Sequence, residues 1–254
     1  MTNDEIIQAA IEFARHNKNI IAKELTDQKT YPPEESPFSI FMAGSPGAGK
    51  TEFSKDFVSS LKVGAEKPIV RIDGDEIRNR LPGYTGDNSF LFQGAISIIV
   101  DRIHDYCLER KQTFIFDSTF SKYEKAKKNI ERSLDPKKNR FVYIFYVYQR
   151  PEIAWLFTQK REQLEGRHIP MSAFIDEFIQ ARETVVKIWD EFKNTSDGRF
   201  GLWIFEKDIT AKTVGRVQVK PGSAVDAYMP HRYTKDEIEA NIHEIEANFQ
   251  KRPV

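Results

Sequence analysis

The sequence predicts an α/β fold with a mostly parallel central sheet and helices on both faces, and three observations carry it. Short, nearly continuous apolar runs such as residues 38–43 and 140–148 alternate with helical patterns. A glycine-rich turn, Gly44-Ser45-Pro46-Gly47-Ala48-Gly49-Lys50-Thr51, joins the first run to a helix. Acids end two further runs, in Asp73-Gly74-Asp75 and in Asp117. Strands apolar on both faces belong to parallel sheets covered by helices. A length of 254 residues suits one such domain with extensions.

In chain order, residues 4–25 place Ile6, Ile7, Ala10, Phe13 and Ala14 at helical spacing, with Asn3 or Asp4 as the cap. Residues 29–37 (KTYPPEESP) form an extended, proline-stiffened linker. A strand over 38–43 then leads through the glycine turn into a helix over 52–61. Residues 68–72 form the second strand, and a long helix spans 91–110. The third strand, 113–116, is followed by a helix over 122–134 that Asp135-Pro136 stops. The aromatic-rich strand 140–148, helices over 152–165 and 172–192 and a short strand at 202–205 complete the core. Residues 212–218 suit an edge strand, and 234–250 an amphipathic helix. The chain divides into an N-terminal helical extension (1–30), a linker (31–37), a core (38–207) and a C-terminal extension (208–254).

Lys plus Arg equals Asp plus Glu at 38 each, a balance that argues against a general nucleic-acid binder or an anionic-membrane binder. No stretch approaches the roughly 18 uninterrupted apolar residues of a membrane span. The start of the chain lacks a cationic segment followed by an apolar one, so a soluble cytoplasmic protein is expected. The single Cys107 excludes an intramolecular disulfide, and its helical surroundings read as core. His104 has no partner at metal-ligand spacing, and His168 stands alone beside Arg167.

The glycine turn is a complete Walker A loop, which by itself does not separate a kinase from an ATPase or a switch. With the strand-end acids that follow, the expected architecture is the three-layer fold of P-loop kinases. Backbone N–H groups of such a loop cradle phosphates at a helix N-terminus. Lys50 would reach the β- and γ-phosphates of ATP or GTP, and the Thr51 hydroxyl would bind Mg²⁺. Asp73 and Asp75 lie just past the second strand, at the sheet edge where open α/β folds bind ligands. A kinase acting on a hydroxyl needs a carboxylate there, and the alternative for Asp75 is a helix cap. Phe114-Ile115-Phe116-Asp117 resembles a Walker B strand, its acid suited to Mg²⁺ or its waters. Ser118 follows, where many hydrolysing ATPases carry a glutamate, which weakens a motor reading. Arg161 on a helix and Arg167 in the loop after it could converge on one phosphoryl group, or belong to a solvated face.

Taken in order, GSPGAGKT, IDGDEIR, FIFDST and EGRHIP resemble the zeta toxin family of P-loop kinases, over residues 38–192. The resemblance implies ATP- or GTP- and Mg²⁺-dependent phosphorylation of the 3′-hydroxyl of UDP-N-acetylglucosamine. It assigns Lys50 and Thr51 to the phosphates and metal, Asp75 to the catalytic base, and Arg161 and Arg167 to phosphate binding. It places Asp101, Asp117 and Thr119 at the substrate. The chain departs from the family pattern in carrying aspartate for glutamate at positions 101 and 117. Ser121 stands where a typical member has a further arginine, which puts the fit to UDP-N-acetylglucosamine in doubt. Ile-Asp-Gly-Asp-x-x-Arg also resembles adenylylsulfate kinase, the first alternative. A non-catalytic nucleotide-dependent switch is the second. The family resemblance further implies a small helical antitoxin as partner. The N-terminal helix, joined through the proline linker, is then either a docking element that completes the fold or a built-in restraint.

Overall fold

The fold is a computed structural model that describes residues 2–62, 68–166, 168–194, 198–208, 211 and 213–250. Six strands, β1 (Phe38–Ala43), β2 (Val70–Asp73), β3 (Phe114–Asp117), β4 (Phe141–Tyr148), β5 (Phe200–Asp208) and β6 (Thr213–Gln218), form one sheet in the order β2-β3-β1-β4-β5-β6. All pairings are parallel except β5 with β6.

Alternation along the strands divides the apolar residues between two layers. Ile40, Met42, Ile115, Phe145, Val147 and Phe205 pack with Phe53 and Phe57 of α2 (Lys50–Lys62) on one face. Phe41, Ala43, Phe114, Phe116, Val142 and Ile144 point to the other face. There α4 (Gln93–Glu109), α5 (Tyr123–Leu134) and α7 (Met171–Phe192) cover them. Cys107 is buried in this layer, as its surroundings predict. So is His104, its ring held by edge contacts to Phe114 and Phe116. The short α3 (Gly74–Arg78) follows β2, and α6 (Pro151–Glu165) follows β4. The terminal α8 (Lys235–Gln250) lies against α6 and α7. No helix among the described residues is long and apolar enough to cross a membrane.

The strands and helices follow the sequence pattern closely, with one informative exception. β5 runs on to Asp208, beyond the apolar stretch 202–205, because Glu206, Lys207 and Asp208 pair with Gly215, Val214 and Thr213 of β6. Ladder bonds at an exposed edge tolerate polar side chains that hydrophobic patterning does not register.

At the end of the sheet where β1 starts, a buried guanidinium joins three elements. Arg140 donates from Nε to Ser39 Oγ (2.8 Å) and from Nη2 to the carbonyls of Phe38 (2.9 Å) and Gln112 (2.6 Å). It also lies 5.0 Å from the centroid of the Phe114 ring. Burial pulls its pKa down to about 10, still far above neutrality, so the cation persists.

The N-terminal helix α1 (Asn3–Leu25) is capped by Thr2, not by Asn3 or Asp4. Thr2 and Glu5 exchange hydrogen bonds in a capping box. Its small buried residues Ala10, Ala14 and Ala22 let it approach α4 closely, and Ile21 fills the seam. Its C-terminal end is tied down at several points. Arg80 makes two 3.0 Å hydrogen bonds to Glu24, and Arg110 and Gln112 donate to the Thr26 carbonyl at 2.8 and 3.0 Å. These contacts lie along α4 and the β2 side of the sheet.

Two outcomes follow. Arg140→Met should lower unfolding stability by about 2–4 kcal/mol in a urea titration, because two buried carbonyls lose their donor. Deleting residues 1–30 should leave an aggregating product in size-exclusion chromatography, because the apolar face of α4 loses its cover. A soluble, folded fragment with raised activity would instead support the restraint.

Candidate active site

The loop between β1 and α2 is shaped by what it packs against. At Gly44, with φ of +140°, a Cβ would lie 2.2 Å from the Val147 carbonyl oxygen. At Gly47, with φ of +71°, it would lie 2.0 Å from that of Ala154. Only glycine fits either place, so the loop is wedged against the end of β4 and the first turns of α6. Ser45, Pro46 and Ala48 are buried within it. Lys50 and Thr51 open α2, and Lys50 Nζ donates to the carbonyls of Gly44 (2.9 Å) and Ser45 (2.7 Å). A helix N-terminus faces the site, with its first amides available to an anion.

Acids gather at the ends of β2 and β3. Asp73 is register partner to Asp117. Asp73 also caps α3, its carboxylate accepting from the Asp75 N–H at 2.8 Å. The helix-cap role therefore falls to Asp73, and Asp75 sits inside the helix. Burial, together with repulsion from Asp117 and Asp75, raises the Asp73 pKa to about 6. Arg71 opposes this repulsion: its guanidinium pairs with Asp73, with Glu76 at 2.6 Å and with Asp117 Oδ2 at 3.5 Å. Asp117 Oδ2 is buried without a hydrogen-bond donor among the described residues. Such an acceptor suits a hydrated cation, and Mg²⁺ needs only one or two protein ligands besides phosphates and waters. The residues present therefore fit Mg²⁺.

Asp75 is gripped from both sides. Arg78 donates to Oδ1 at 2.7 Å, and Arg161 of α6 donates to Oδ2 at 3.2 Å. Ala154 and Thr158 flank the loop at Gly47, and Arg161 follows at the next position on the same helix face. One helix thus bounds the phosphate loop and reaches the candidate base. Burial works against the Arg161 charge, but bonds and attraction from Glu165 and Asp75 more than offset it, holding its pKa above the ordinary value.

The remaining candidates are distributed unevenly. The Thr119 carbonyl accepts from the Gly44 N–H at 3.2 Å, and its hydroxyl meets that of Ser121 at 3.0 Å. Thr119 therefore borders the loop. Asp101 is exposed on α4, 3.9 Å from Lys125 of α5, and its ion pair involves neither the loop nor the strand-end residues. Arg167 lies outside the described residues. His168 pairs with Glu162 at 2.8 Å on the exposed side of α6. Two cations went unread in the sequence: Arg71 is masked by alternation within a strand, and Lys207 by the polar end of β5. Arg78 is visible there only as the last residue of Ile-Asp-Gly-Asp-x-x-Arg, with no role of its own.

The model of the family described as Zeta toxin matches residues 21–198, more than half of the chain. No curated protein matches the chain by sequence. In fold, it is similar to a structure from the PezAT chromosomal toxin-antitoxin system of Streptococcus pneumoniae, with a TM-score of 0.60 and 16% identity. That match covers 94% of this chain and 96% of the other. It is also similar to AvrRxo1-ORF1:AvrRxo1-ORF2 structures solved with sulfate ions (TM-score 0.57, 15% identity) and with ATP (TM-score 0.55, 15% identity). Each of these covers 85% of this chain, which spans only 66% and 65% of theirs. At these identities the likeness establishes the fold.

The acid cluster has a measurable cost. A carboxyl raised from 3.8 to about 6 in the folded state contributes stability below the lower value and loses it as pH rises through the upper one. In metal-free buffer, Asp73→Asn should keep the cap and flatten the fall in stability between about pH 4 and 6. Denaturant titrations across that range would read the difference, about 3 kcal/mol at most.

Proposed function

The chain belongs to the zeta toxin family of phosphotransferase toxins, and from that premise we propose that it transfers the γ-phosphate of ATP or GTP to a hydroxyl of a nucleotide sugar such as UDP-N-acetylglucosamine. The observation that carries this reading is Asp75. It stands in the first turn of α3, just past β2, with its carboxylate partly exposed, and Arg161, from the helix that flanks the phosphate loop, bonds it directly. A nucleotide-dependent switch needs no hydroxyl-directed base.

In this reading the loop from Gly44 to Thr51, through the amides that follow Pro46, and the Lys50 ammonium hold the donor phosphates. Asp75 accepts the proton of the acceptor hydroxyl as its oxygen attacks the γ-phosphorus and the bond to the β-phosphate oxygen breaks. Arg78 and Arg161 fix the orientation of that carboxylate. Arg161 and Arg167 clamp the transferring group, stabilising charge on its oxygens. Thr51 and Asp117 would hold Mg²⁺, which supplies neutralisation of the β- and γ-phosphate charge when bound. Asp73, Asp101 and Thr119 complete the acceptor side. Asp101 reaches it only through an acceptor long enough to extend along α4.

A second reading, an adenylylsulfate kinase-like enzyme, rests on the 2.7 Å bond from Arg78 to Asp75 within Ile-Asp-Gly-Asp-x-x-Arg. A helical antitoxin is proposed as the protein partner, in line with the toxin-antitoxin system of the Streptococcus pneumoniae relative.

The test is to incubate the protein with ATP, Mg²⁺ and a panel of UDP-sugars, nucleosides and adenylylsulfate, and to weigh the products. A UDP-sugar gaining one phosphate is expected. Asp75→Ala should slow that transfer by about 10²–10⁴-fold while sparing ATP binding. A mutant that transfers phosphate at the wild-type rate would refute the assignment.

A further inference from the structure

Asp75 and Lys207 lie on opposite sides of the phosphate loop. In the sheet order, β2 with Asp75 is two places from β1 on one side, and β5 with Lys207 is two places away on the other. If an acceptor bound at Asp75 attacks the γ-phosphate in line, the rest of the donor must extend away from Asp75. It therefore extends toward the ends of β4 and β5.

Lys207 meets the loop there. Its Nζ donates to the Gly49 carbonyl at 2.9 Å, and that carbonyl also accepts the Phe53 N–H of the first turn of α2 at 3.1 Å. The ammonium takes the space that a side chain at Gly49 would need, since a Cβ would lie 2.2 Å from Nζ. Among the described residues this is the one hydrogen bond of a group with three donors. Burial lowers the Lys207 pKa, with Glu52 and Asp56 opposing the shift. Lys50 bonds the first two carbonyls of the same loop. Two ammonium groups therefore pin the loop at its two ends.

We propose that Lys207 is a positioning residue for the donor nucleotide, fixing the Gly49 carbonyl so that the amides of Lys50 and Thr51 face the phosphates. The inference rests on the reading of this loop as the donor site. Lys50 must leave its carbonyls to reach the β- and γ-phosphates. Lys207 can stay in place, and it braces the part of the cradle that ATP and ADP share.

The experiment is calorimetric titration of the full chain with ATP and with ADP, each with Mg²⁺ and without acceptor. Lys207→Met should weaken both nucleotides by the same factor, about tenfold, with the melting temperature nearly unchanged. Lys207→Arg, which keeps the charge, should retain most of the affinity. If Lys207→Met does not fold, Lys207→Gln carries the same comparison. Unchanged nucleotide affinity in the folded variant, or a loss confined to melting temperature, overturns the inference. Wild-type protein that binds neither nucleotide overturns the donor-site reading and this inference with it. No acceptor is used, so a wrong acceptor assignment leaves the result standing.

Discussion

Everything at the candidate site depends on the register of β1 between its two neighbours, and Arg140 holds that register from the opposite end of the sheet. Its guanidinium reaches a hydroxyl and a carbonyl at the start of β1 and the carbonyl of Gln112 just before β3, while Arg140 itself immediately precedes β4. A parallel strand that slips by two residues keeps its faces but moves its end by about 6.6 Å. Such a slip would carry Gly44 away from Val147 and Thr119, and the loop could no longer be wedged as it is. A buried cation bonded to carbonyls is costly to place, and its directional bonds can be satisfied in one alignment only.

The far edge shows a related economy of charge. The chain is neutral overall, but its strand ends concentrate Asp73, Asp75 and Asp117 within reach of one another. Arg71 answers two of them from within β2, and Arg78 and Arg161 answer the third. Asp73 still carries the penalty, with its pKa displaced to about 6. A site meant to gather negative phosphates gains from this arrangement, because arginines already ordered by carboxylates lose less freedom on meeting an anion.

How much of this could be read from the sequence depended on the range of the interaction. The phosphate loop, the acids ending β2 and β3, and the alternation of strands with helices are local patterns, and the structure keeps them almost residue for residue. The sequence reads Asp75 as a base with a helix cap as the alternative, and the Asp73 bond to its N–H gives capping to Asp73. Arg140 and Lys207 were not legible, because each acquires its meaning from partners far along the chain. Arg71 has local partners in Asp73 and Glu76, and only its ion pair with Asp117 crosses the sheet. The Lys207 bond spans 158 positions. The polar end of β5 gave no strand signal, since an edge ladder sets the backbone without requiring apolar side chains. Asp101 differs again: its place at the substrate comes from the family resemblance alone, and in the fold it lies exposed on α4, 3.9 Å from Lys125.

The two cations nearest the reacting groups differ in what phosphate binding asks of them. Lys50 has its ammonium on the carbonyls of Gly44 and Ser45, so reaching a phosphate means exchanging those bonds. Arg161 need not make that exchange. Its Nη2 is shared between Asp75 and Glu165 and its Nε also meets Glu165, whereas Nη1 makes no hydrogen bond among the described residues. A guanidinium is a rigid fork, so an anion can be taken up at Nη1 while Nη2 keeps its hold on Asp75. Orientation of the base and recognition of the transferring group then reside in one side chain. In the proposed reaction, the same arginine that meets the phosphoryl oxygens keeps the carboxylate turned toward the acceptor.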